Sequence, residues 1–520
     1  IRRPPRSTQG VSSAASDVYK RQLLFEAKIV RELDDLAIDA MKITSFDLMQ
    51  KAGESALNEL LENYGTPNLL HVFCGAGNNG GDGYVVAAMA AAKNIPVHIY
   101  EFGQAQRMSE ATLKARSLCI EGSAEFLEFS SSCDLSEGFI VDGLIGTGFK
   151  GDLKNSFAQA IECINGSFLP ILSIDIPSGV CSNTGAVSTS AIRADLTVTF
   201  VGAKQGLFTG RGPEFSGDIT FDSLDIPESV LQKKSPSAEL MSLENLLESM
   251  PDSDSSAHKY QRGHCMTIGG DLGTGGASLL AAQASLKIGS GLSSLATRPE
   301  HVSACLVRQP EIMACGVVSG QQLEPLLQKP TVLVVGPGLG RSSWSEQMLQ
   351  KAMATNLPLV VDADALNIIA DGRVVTDFSH RSWVITPHSG EAARLLGITP
   401  AEVESDRFSA VLRLQEKYKA TIILKGPGTL ISSSLEDPYK ICPYGNSGMA
   451  TAGMGDILSG IIGGLIAQGM DLQAASELGV CLHSFAADRA AELSGRKGLL
   501  ATEVFDHLRE LINPQRQEFP

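Results

Sequence analysis

LLHVFCGAGNNGGDGYVVAAMAAAK, residues 69–93, passes from a short apolar run through a glycine-rich turn into a stretch dominated by Ala and Val. Leu69 to Cys74 is short and continuously apolar, the pattern of a strand buried on both faces. A helix is predicted from about Asp82 to Lys93. A strand feeding a helix through glycines is a βα unit, and the pattern recurs along the chain. Val97 to Tyr100 reads as a second strand. Phe139 to Asp142 and Ile171 to Asp175 are further short apolar runs ending in Asp. Upstream, Leu24 to about Leu60 carries apolar residues at helical spacing. This alternation predicts an α/β domain with a mainly parallel sheet.

Between about Pro227 and Met250 the chain turns polar, with QKKSPSA at 232–238 and PDSDSS at 251–256. The βα rhythm then restarts. Cys265 to Ile268, Thr331 to Val335, Leu359 to Asp362, Trp383 to Thr386 and Thr421 to Leu424 are strand-like and end in Gly- or Asp-containing turns. The predicted organisation is a first domain over 23–228, a linker over 229–242 and a second domain over 243–515. In open α/β sheets the ligand crevice lies at the carboxyl ends of the strands. Residues 1–22 open with IRRPPR, lack periodicity and resemble a translated vector scar; a disordered tail is the alternative.

Composition narrows the function classes. The 520 residues carry a formal net charge of −16, which argues against a nucleic-acid-binding surface. No run of 18 apolar residues occurs, and the most apolar stretch, Ile457 to Gly469, is broken by glycines; no membrane span is expected. The ten cysteines include no C-x-x-C pair, so neither a zinc site nor a disulfide framework is expected. Reduced thiols and a cytoplasmic location follow as expectations.

In the first domain Gly75, Gly77 and Gly80 satisfy G-x-G-x-x-G, and Glu101 ends the next strand. That alone suggests a dinucleotide site, or simply a turn where strand and helix pack closely. Asn78, Asn79 and Asp82 add polar side chains that turn geometry does not require. Asp142 is followed by a second glycine-rich loop, GTGFKG at 146–151, and Asp175 by Pro177-Ser178-Gly179. On a parallel sheet these three groups converge on one crevice, and oxygen-rich sets of this kind suit a hard cation and a hydroxylated ligand. Any one Asp taken alone reads more often as a helix N-cap; three beside flexible loops favour a site.

The trio GNNGGDG, VDGLIGTGFKG and IDIPSG resembles the NAD(P)H-hydrate epimerase family over about Leu24 to Ile226. The resemblance implies a Rossmann-like αβα domain that interconverts the R and S epimers of hydrated NADH and NADPH. It assigns the hydrate to Asn78, Asn79, Gly80, Gly81 and Asp82 and to Gly146, Thr147, Gly148, Phe149, Lys150, Gly151 and Asp152. It assigns K+ to Asn79, Asp142 and Ser178. Asp175 faces the hydrated ring and is expected to transfer the proton.

The second domain carries GGDLGTGGA at 269–277, GPGLG at 336–340, TPHSGE at 386–391, KGPGT at 425–429 and GMATAGMGDIL at 448–458. The last places Asp456 at the start of a long apolar helix. There, backbone N–H groups and the positive dipole end stabilise a transferring phosphoryl group, and the carboxylate can deprotonate an attacking hydroxyl. A plain N-cap is the alternative. G-x-x-x-x-G-K-[ST] is absent, so the site is not a P-loop.

GMGD resembles the anion-hole motif of ribokinase-like kinases. With VDADALN at 361–367 and TPHSGE, the set resembles the NAD(P)H-hydrate dehydratase branch over about Leu243 to Leu511. That implies a second αβα domain that phosphorylates the ring hydroxyl from ADP or ATP with Mg2+ and eliminates phosphate. Ala277, Gly338, His388 and Asp456 are assigned to the hydrate. Lys425, Gly426, Pro427, Gly428, Thr429 and Gly455 are assigned to the nucleotide. His388 outside this motif would be a core or capping histidine, and Ser389 stands where the family often has Pro. The resemblance also implies small-molecule substrates and a homo-oligomer. Three other functions stay open on residues alone: a small-molecule kinase, hydride transfer through G-x-G-x-x-G and Glu101, and a non-enzymatic nucleotide-binding scaffold.

Overall fold

The apolar run at 69–74 does form a buried strand, and what surrounds it sets the site. In the computed structural model the described residues are 22–513, except 132, 149, 150, 152, 154, 188, 252–257, 375–377 and 379–381. The chain divides into two units, one from Gln22 to Glu239 and one from Leu240 onward.

The first unit contains strands β1 (Leu23–Phe25), β2 (Leu70–Cys74), β3 (Val97–Glu101), β4 (Glu125–Leu127), β5 (Phe139–Gly143), β6 (Ile171–Ile174), β7 (Leu196–Phe200), β8 (Ala203–Lys204) and β9 (Asp218–Asp222). Seven of them form one sheet in the order β4-β3-β2-β5-β6-β7-β9, with every neighbouring pair parallel. The order reverses between β2 and β5, which puts the topological switch point beside the glycine-rich turn. β1 pairs with β8 and with the start of β10 (Ala238–Leu240).

The upstream stretch read as helical is a short strand followed by two helices, α1 (Ala27–Met41) and α2 (Ser45–Tyr64). Lys42 ends α1 in the left-handed conformation (φ 55°), and Thr44 and Asp47 form a reciprocal capping box that starts α2. The next helix, α3 (Asn78–Ala92), begins four residues before the predicted Asp82, so NNGGDG is the helix's own first turns. Glycine is required there: a Cβ on Gly75 would meet Leu144 O at 2.0 Å, and one on Gly80 would meet Gly75 O at 1.9 Å. The segment read as a linker holds a helix, Glu228–Leu231, and β10, with Val230 and Ala238 buried.

The second unit contains β11 (His264–Ile268), β12 (Leu292–Thr297), β13 (Met313–Gly316), β14 (Val332–Val335), β15 (Leu359–Val361), β16 (Trp383–Ile385), β17 (Thr421–Leu424), β18 (Leu430–Ser432) and β19 (Tyr439–Ile441). Their order is β13-β12-β11-β14-β15-β16-β17-β18-β19, parallel as far as β17 and antiparallel beyond it. Helices Gly275–Lys287, Met454–Ala467 and Leu472–Ser494 cover it with a continuous apolar core. Both units are therefore α/β with mainly parallel sheets, as read from the sequence. No helix among the described residues is long and apolar enough to cross a membrane.

The glycines of the helix Met454–Ala467 are packing devices. A Cβ on Gly460 would lie 2.1 Å from Ala281 O of the helix beneath. Gly460→Ala is expected to destabilise the second unit by about 1–3 kcal/mol through overpacking. Calorimetry should find its unfolding lowered by about 3–10 °C; an unchanged transition would refute this close helix contact.

Candidate functional sites

In the first unit the carboxyl ends of β2, β5 and β6 open into a cavity of about 850 Å3. Of the residues expected at the hydrate, Asn78, Asn79, Asp82, Gly146, Thr147, Gly148 and Asp175 line it. Gly80 and Gly81 do not; they let α3 pack, Gly80 on Gly75 and Gly81 on Met49 and Thr112. Gly151 is exposed, with φ +85°. Phe149, Lys150 and Asp152 lie outside the described residues.

Asp175 follows β6 with φ 65°, a sparsely populated conformation for a non-glycine residue. Its backbone N–H donates to Val198 O at 2.7 Å. Its carboxylate accepts from Thr199 Oγ1 at 3.2 Å and is ion-paired with Lys204. Lys204, 1% exposed, also donates to Phe200 O at 2.9 Å. Sequence reading missed this lysine: it stands in VGAKQG, which carries no recognisable motif. Asp82 lies near Asp175 and Asp34, and burial pushes its carboxyl well up.

Asp142 does not face the cavity as the sequence implied. It is wholly buried behind the wall, where it accepts from Ser178 Oγ at 2.6 Å, Ser173 Oγ at 2.8 Å, Ser178 N at 2.9 Å and Leu144 N at 3.2 Å. The reason is the strand register: Asp142 lies within β5, paired to Ser173 of β6. Burial raises its carboxyl against the lowering effect of these bonds. Asn79 is the converse. It is 8% exposed, and both its side-chain oxygen and nitrogen lack a partner. An orphaned amide oxygen in a cavity wall, with a buried carboxylate and a serine hydroxyl behind it, is a donor set that fits a hard monovalent cation.

Glu101, the acid that a hydride-transfer site would need for a ribose, is engaged elsewhere. Its carboxylate binds Arg116 at 2.5 and 3.0 Å and accepts from Tyr84 OH at 2.7 Å.

In the second unit Asp456 stands in the first turn of Met454–Ala467, but the N-cap is Gly453 (φ +93°), so the plain capping alternative for Asp456 does not hold. Burial first, then the neighbouring Asp362 carboxylate, pushes the Asp456 carboxyl up to about 6. Asp362 is buried between Lys425 Nζ at 2.7 Å and Ser459 Oγ at 2.7 Å. Lys425 also lies 3.8 Å from Glu391, whose carboxyl burial raises. A Cβ on Gly455 would sit 3.3 Å from Lys425 Nζ, so the predicted Gly455, Lys425 and Asp456 are brought to one place. Asp362 and Glu391 stand within the sequence motifs, but their motifs alone gave them no role. Three carboxylates around one ammonium leave excess negative charge, which a divalent cation would offset.

The nucleotide loop is a tight turn: Gly426 and Gly428 have φ +141° and +59°, and Thr429 Oγ1 closes onto Gly426 O at 3.0 Å around Pro427. Beneath it the fully buried Arg407 donates to Leu424 O at 3.0 Å and Lys425 O at 3.3 Å. Ser389 hydrogen-bonds Glu404, which pairs with Arg407 at 3.2 Å. Gly338 (φ +58°) packs on Ala277: a Cβ there would meet Ala277 Cβ at 3.1 Å. His388 acts as the cap of its own helix. Its Nδ1 accepts from Gly390 N at 2.9 Å and its backbone N–H donates to Glu391 at 2.8 Å. Burial, Lys425 and Arg394 hold its ring below the usual histidine range, while the side chain stays 55% exposed.

Residues 45–206 match the family described as YjeF-related protein N-terminus, and residues 265–510 match the family described as NAD(P)H-hydrate dehydratase. The chain is 43% identical over 492 residues to the bifunctional NAD(P)H-hydrate repair enzyme Nnr of Coxiella burnetii, covering 95% of this chain and 100% of that relative. It is 38% identical over 488 residues to the protein of the same name from Escherichia coli, covering 94% and 93%. Among solved structures, a ribokinase-like superfamily protein of Enterococcus faecalis aligns with 53% of this chain and 95% of its own, at 28% identity and a TM-score of 0.49.

Proposed function

Because the chain belongs to the bifunctional NAD(P)H-hydrate repair enzymes, we propose that its two units divide the repair at the residues described above. The first unit epimerises the R and S hydrates around Asp175, and the second dehydrates the S form around Asp456. The observation that carries this division is that each unit sets an acid–base carboxylate beside an ion-paired lysine at the carboxyl ends of its sheet. These are Asp175 with Lys204, and Asp456 with the Lys425–Asp362 pair.

In the second unit Asp456 takes the proton of the ring hydroxyl as the hydroxyl oxygen attacks the terminal phosphorus of ADP or ATP. The N–H groups at the start of Met454–Ala467 receive the developing charge. Phosphate is then a better leaving group than hydroxide, and its elimination restores the dihydronicotinamide. Lys425 and the turn Gly426-Pro427-Gly428-Thr429 hold the nucleotide beside Gly455. Ala277, Gly338 and His388 hold the hydrate. Glu391, together with the nucleotide phosphates, would hold Mg2+, which would neutralise phosphate charge when bound. In the first unit Asn79, with Asp142 and Ser178 behind it, would hold K+, which would supply positive charge beside the polar end of the substrate.

Purified epimers of hydrated NADH, given Mg2+ and either ADP or ATP, test the reading through the return of reduced-nicotinamide absorbance. Recovery of the S hydrate with a nucleotide, and of the R hydrate faster than its spontaneous epimerisation, is expected. Nucleotide consumed without recovery would instead make the second unit a kinase of another alcohol. No recovery from either epimer overturns the assignment.

A further inference from the structure

The cavity of the first unit has a wall that neither the sequence motifs nor the matched residues 45–206 include. Helix α1 presents Val30, Arg31, Asp34, Asp35 and Ile38 to it, Asp35 from the exposed rim. Val30, Leu33 and Ala37 make the buried stripe that packs α1 down, which explains its apolar inward positions. It does not explain Asp34, a half-buried acid one residue beyond Leu33, while the adjacent Asp35 is exposed. Acids withdrawn from water are ordinarily paired. Among the described residues the Asp34 carboxylate accepts no hydrogen bond and forms no ion pair. It shares the cavity with Asp175, Asp82 and Lys204, and with Asn79, whose buried amide is also without a partner. An acid without a protein partner and an orphaned buried amide in one concave site point to a ligand that engages them.

Resting on the epimerase reading of this unit, we propose that Asp34 is a second proton-transferring residue, acting on the hydrated ring from a different wall of the cavity than Asp175. The charges around it separate the two acids. Asp175 is held in the ion pair with Lys204. Asp34 has no such partner; burial, with Asp175 and Asp35, pushes its carboxyl up to about 7 against the opposing Lys204 and Arg31. Asp82, on the α3 side of the cavity, is likewise raised. A raised, unpaired carboxyl and a lysine-paired carboxylate in one cavity are a natural acid and base.

The chemistry of the hydrate needs such a pair. The carbon bearing the added hydroxyl is also bonded to the ring nitrogen. Protonated Asp34 gives its proton to that hydroxyl as the C–O bond breaks, water leaves, and the nitrogen lone pair forms a C=N+ bond. Water then adds to the opposite face: a new C–O bond forms, the C=N+ pair returns to nitrogen, and the surplus proton passes to the Asp175 carboxylate. One water leaves and one enters, no electrons are gained or lost, and one proton moves from Asp34 to Asp175. The reverse direction returns it.

The test uses the full chain without nucleotide, so that the second unit is idle, and follows the R:S ratio of hydrated NADH by chromatography. Asp34→Asn is expected to slow epimerisation at pH 7 at least ~100-fold, the usual loss for a positioned acid or base. Asp34→Glu should restore part of the rate. The wild-type rate should fall as pH rises through about 7, where Asp34 loses its proton, and Asp34→Asn should lack that limb. Dehydration of purified S hydrate should be unchanged in both variants. An Asp34→Asn chain that epimerises at close to the wild-type rate overturns the proposal. So does a slowed variant with an unshifted pH profile, which would mark Asp34 as structural. A wild-type chain that leaves the ratio at its spontaneous rate of change overturns the epimerase reading, and this proposal with it.

Discussion

Asp456→Asn is expected to lower dehydration of the S hydrate by about 10²–10⁴-fold while leaving epimerisation in the first unit unchanged. The substitution keeps size and shape and removes only the ability to accept a proton. In the wild type the carboxyl is pushed up to about 6, so the rate should climb through pH 6 as the base ionises and level off above it. The variant should show no such rise. The same burial carries a stability consequence of opposite sign. The carboxyl's ordinary value is 3.8 and its folded value about 6, so between those pH values the folded chain binds the extra proton. Folding stability therefore falls as pH rises through that window. At pH 7 the ionised carboxylate costs the second unit up to about 3 kcal/mol, since each tenfold change in acidity is worth about 1.36 kcal/mol. Asparagine does not ionise. The inactive variant should thus be the more thermostable at pH 7, by several degrees, with the difference vanishing as the pH falls below the ordinary carboxylate range. A variant that keeps its dehydration rate would remove Asp456 from the reaction. One that loses its rate but gains no stability would mean that the carboxylate is solvated in the folded state.

What the sequence made legible divides by range. The glycine turns were readable because clustered glycines mark a turn whatever they face: Gly80 packs on nearby Gly75, while Gly75 faces Leu144, Gly426 faces Arg407 and Gly455 faces Lys425. The nine strands that were read are continuous apolar runs whose observed bounds differ from the predicted ones by a residue or so, whereas strands with interleaved Thr or Ser, such as β7 (LTVTF) and β12 (LSSLAT), were not read. The charged partners were not. Lys204 reaches Asp175 across 29 residues, Lys425 reaches Asp362 across 63, and Arg407 holds Leu424 O across 17. Each pairing is made by the way the chain crosses back over its sheet, which no local pattern records. Asp34 was hidden for a related reason. In an amphipathic helix rich in acids, nothing in the spacing tells the half-buried Asp34 at a cavity wall from the exposed acids beside it. The break between α1 and α2 was in principle visible in Thr44-Ser-Phe-Asp47, a capping box with Asp at its third position. His388 shows the limit of a motif. Its residues are as predicted, yet the ring caps its own helix through Nδ1 while its Nε2 lies 3.5 Å from the buried Glu391 carboxylate.

Lys204→Met is expected to be the most damaging single change in the first unit. The ammonium is 1% exposed and bridges the Asp175 carboxylate, Thr199 Oγ1 at 3.3 Å and Phe200 O at 2.9 Å. It is also the cation that opposes the rise of Asp34 and Asp82. Its removal leaves a carboxylate without its counter-charge next to two carboxyls already pushed up. Breaking such a buried pair from one side destabilises by about 3–5 kcal/mol. With the Asp175 carboxylate no longer held by its ammonium, epimerisation should fall at least ~100-fold, on the scale of losing a general acid or base. The second unit has its own core, so dehydration of S hydrate should persist. The pair is separable by a double substitution. Asp175→Asn with Lys204→Met removes both charges together, and most of the lost stability should return because no uncompensated ion is left buried. Activity should not return, because the proton carrier is gone. If the double variant is as unstable as Lys204→Met alone, the lysine acts through its bonds to Thr199 and Phe200 rather than through Asp175. If Lys204→Met epimerises normally, the ion pair plays no part in the chemistry of this cavity.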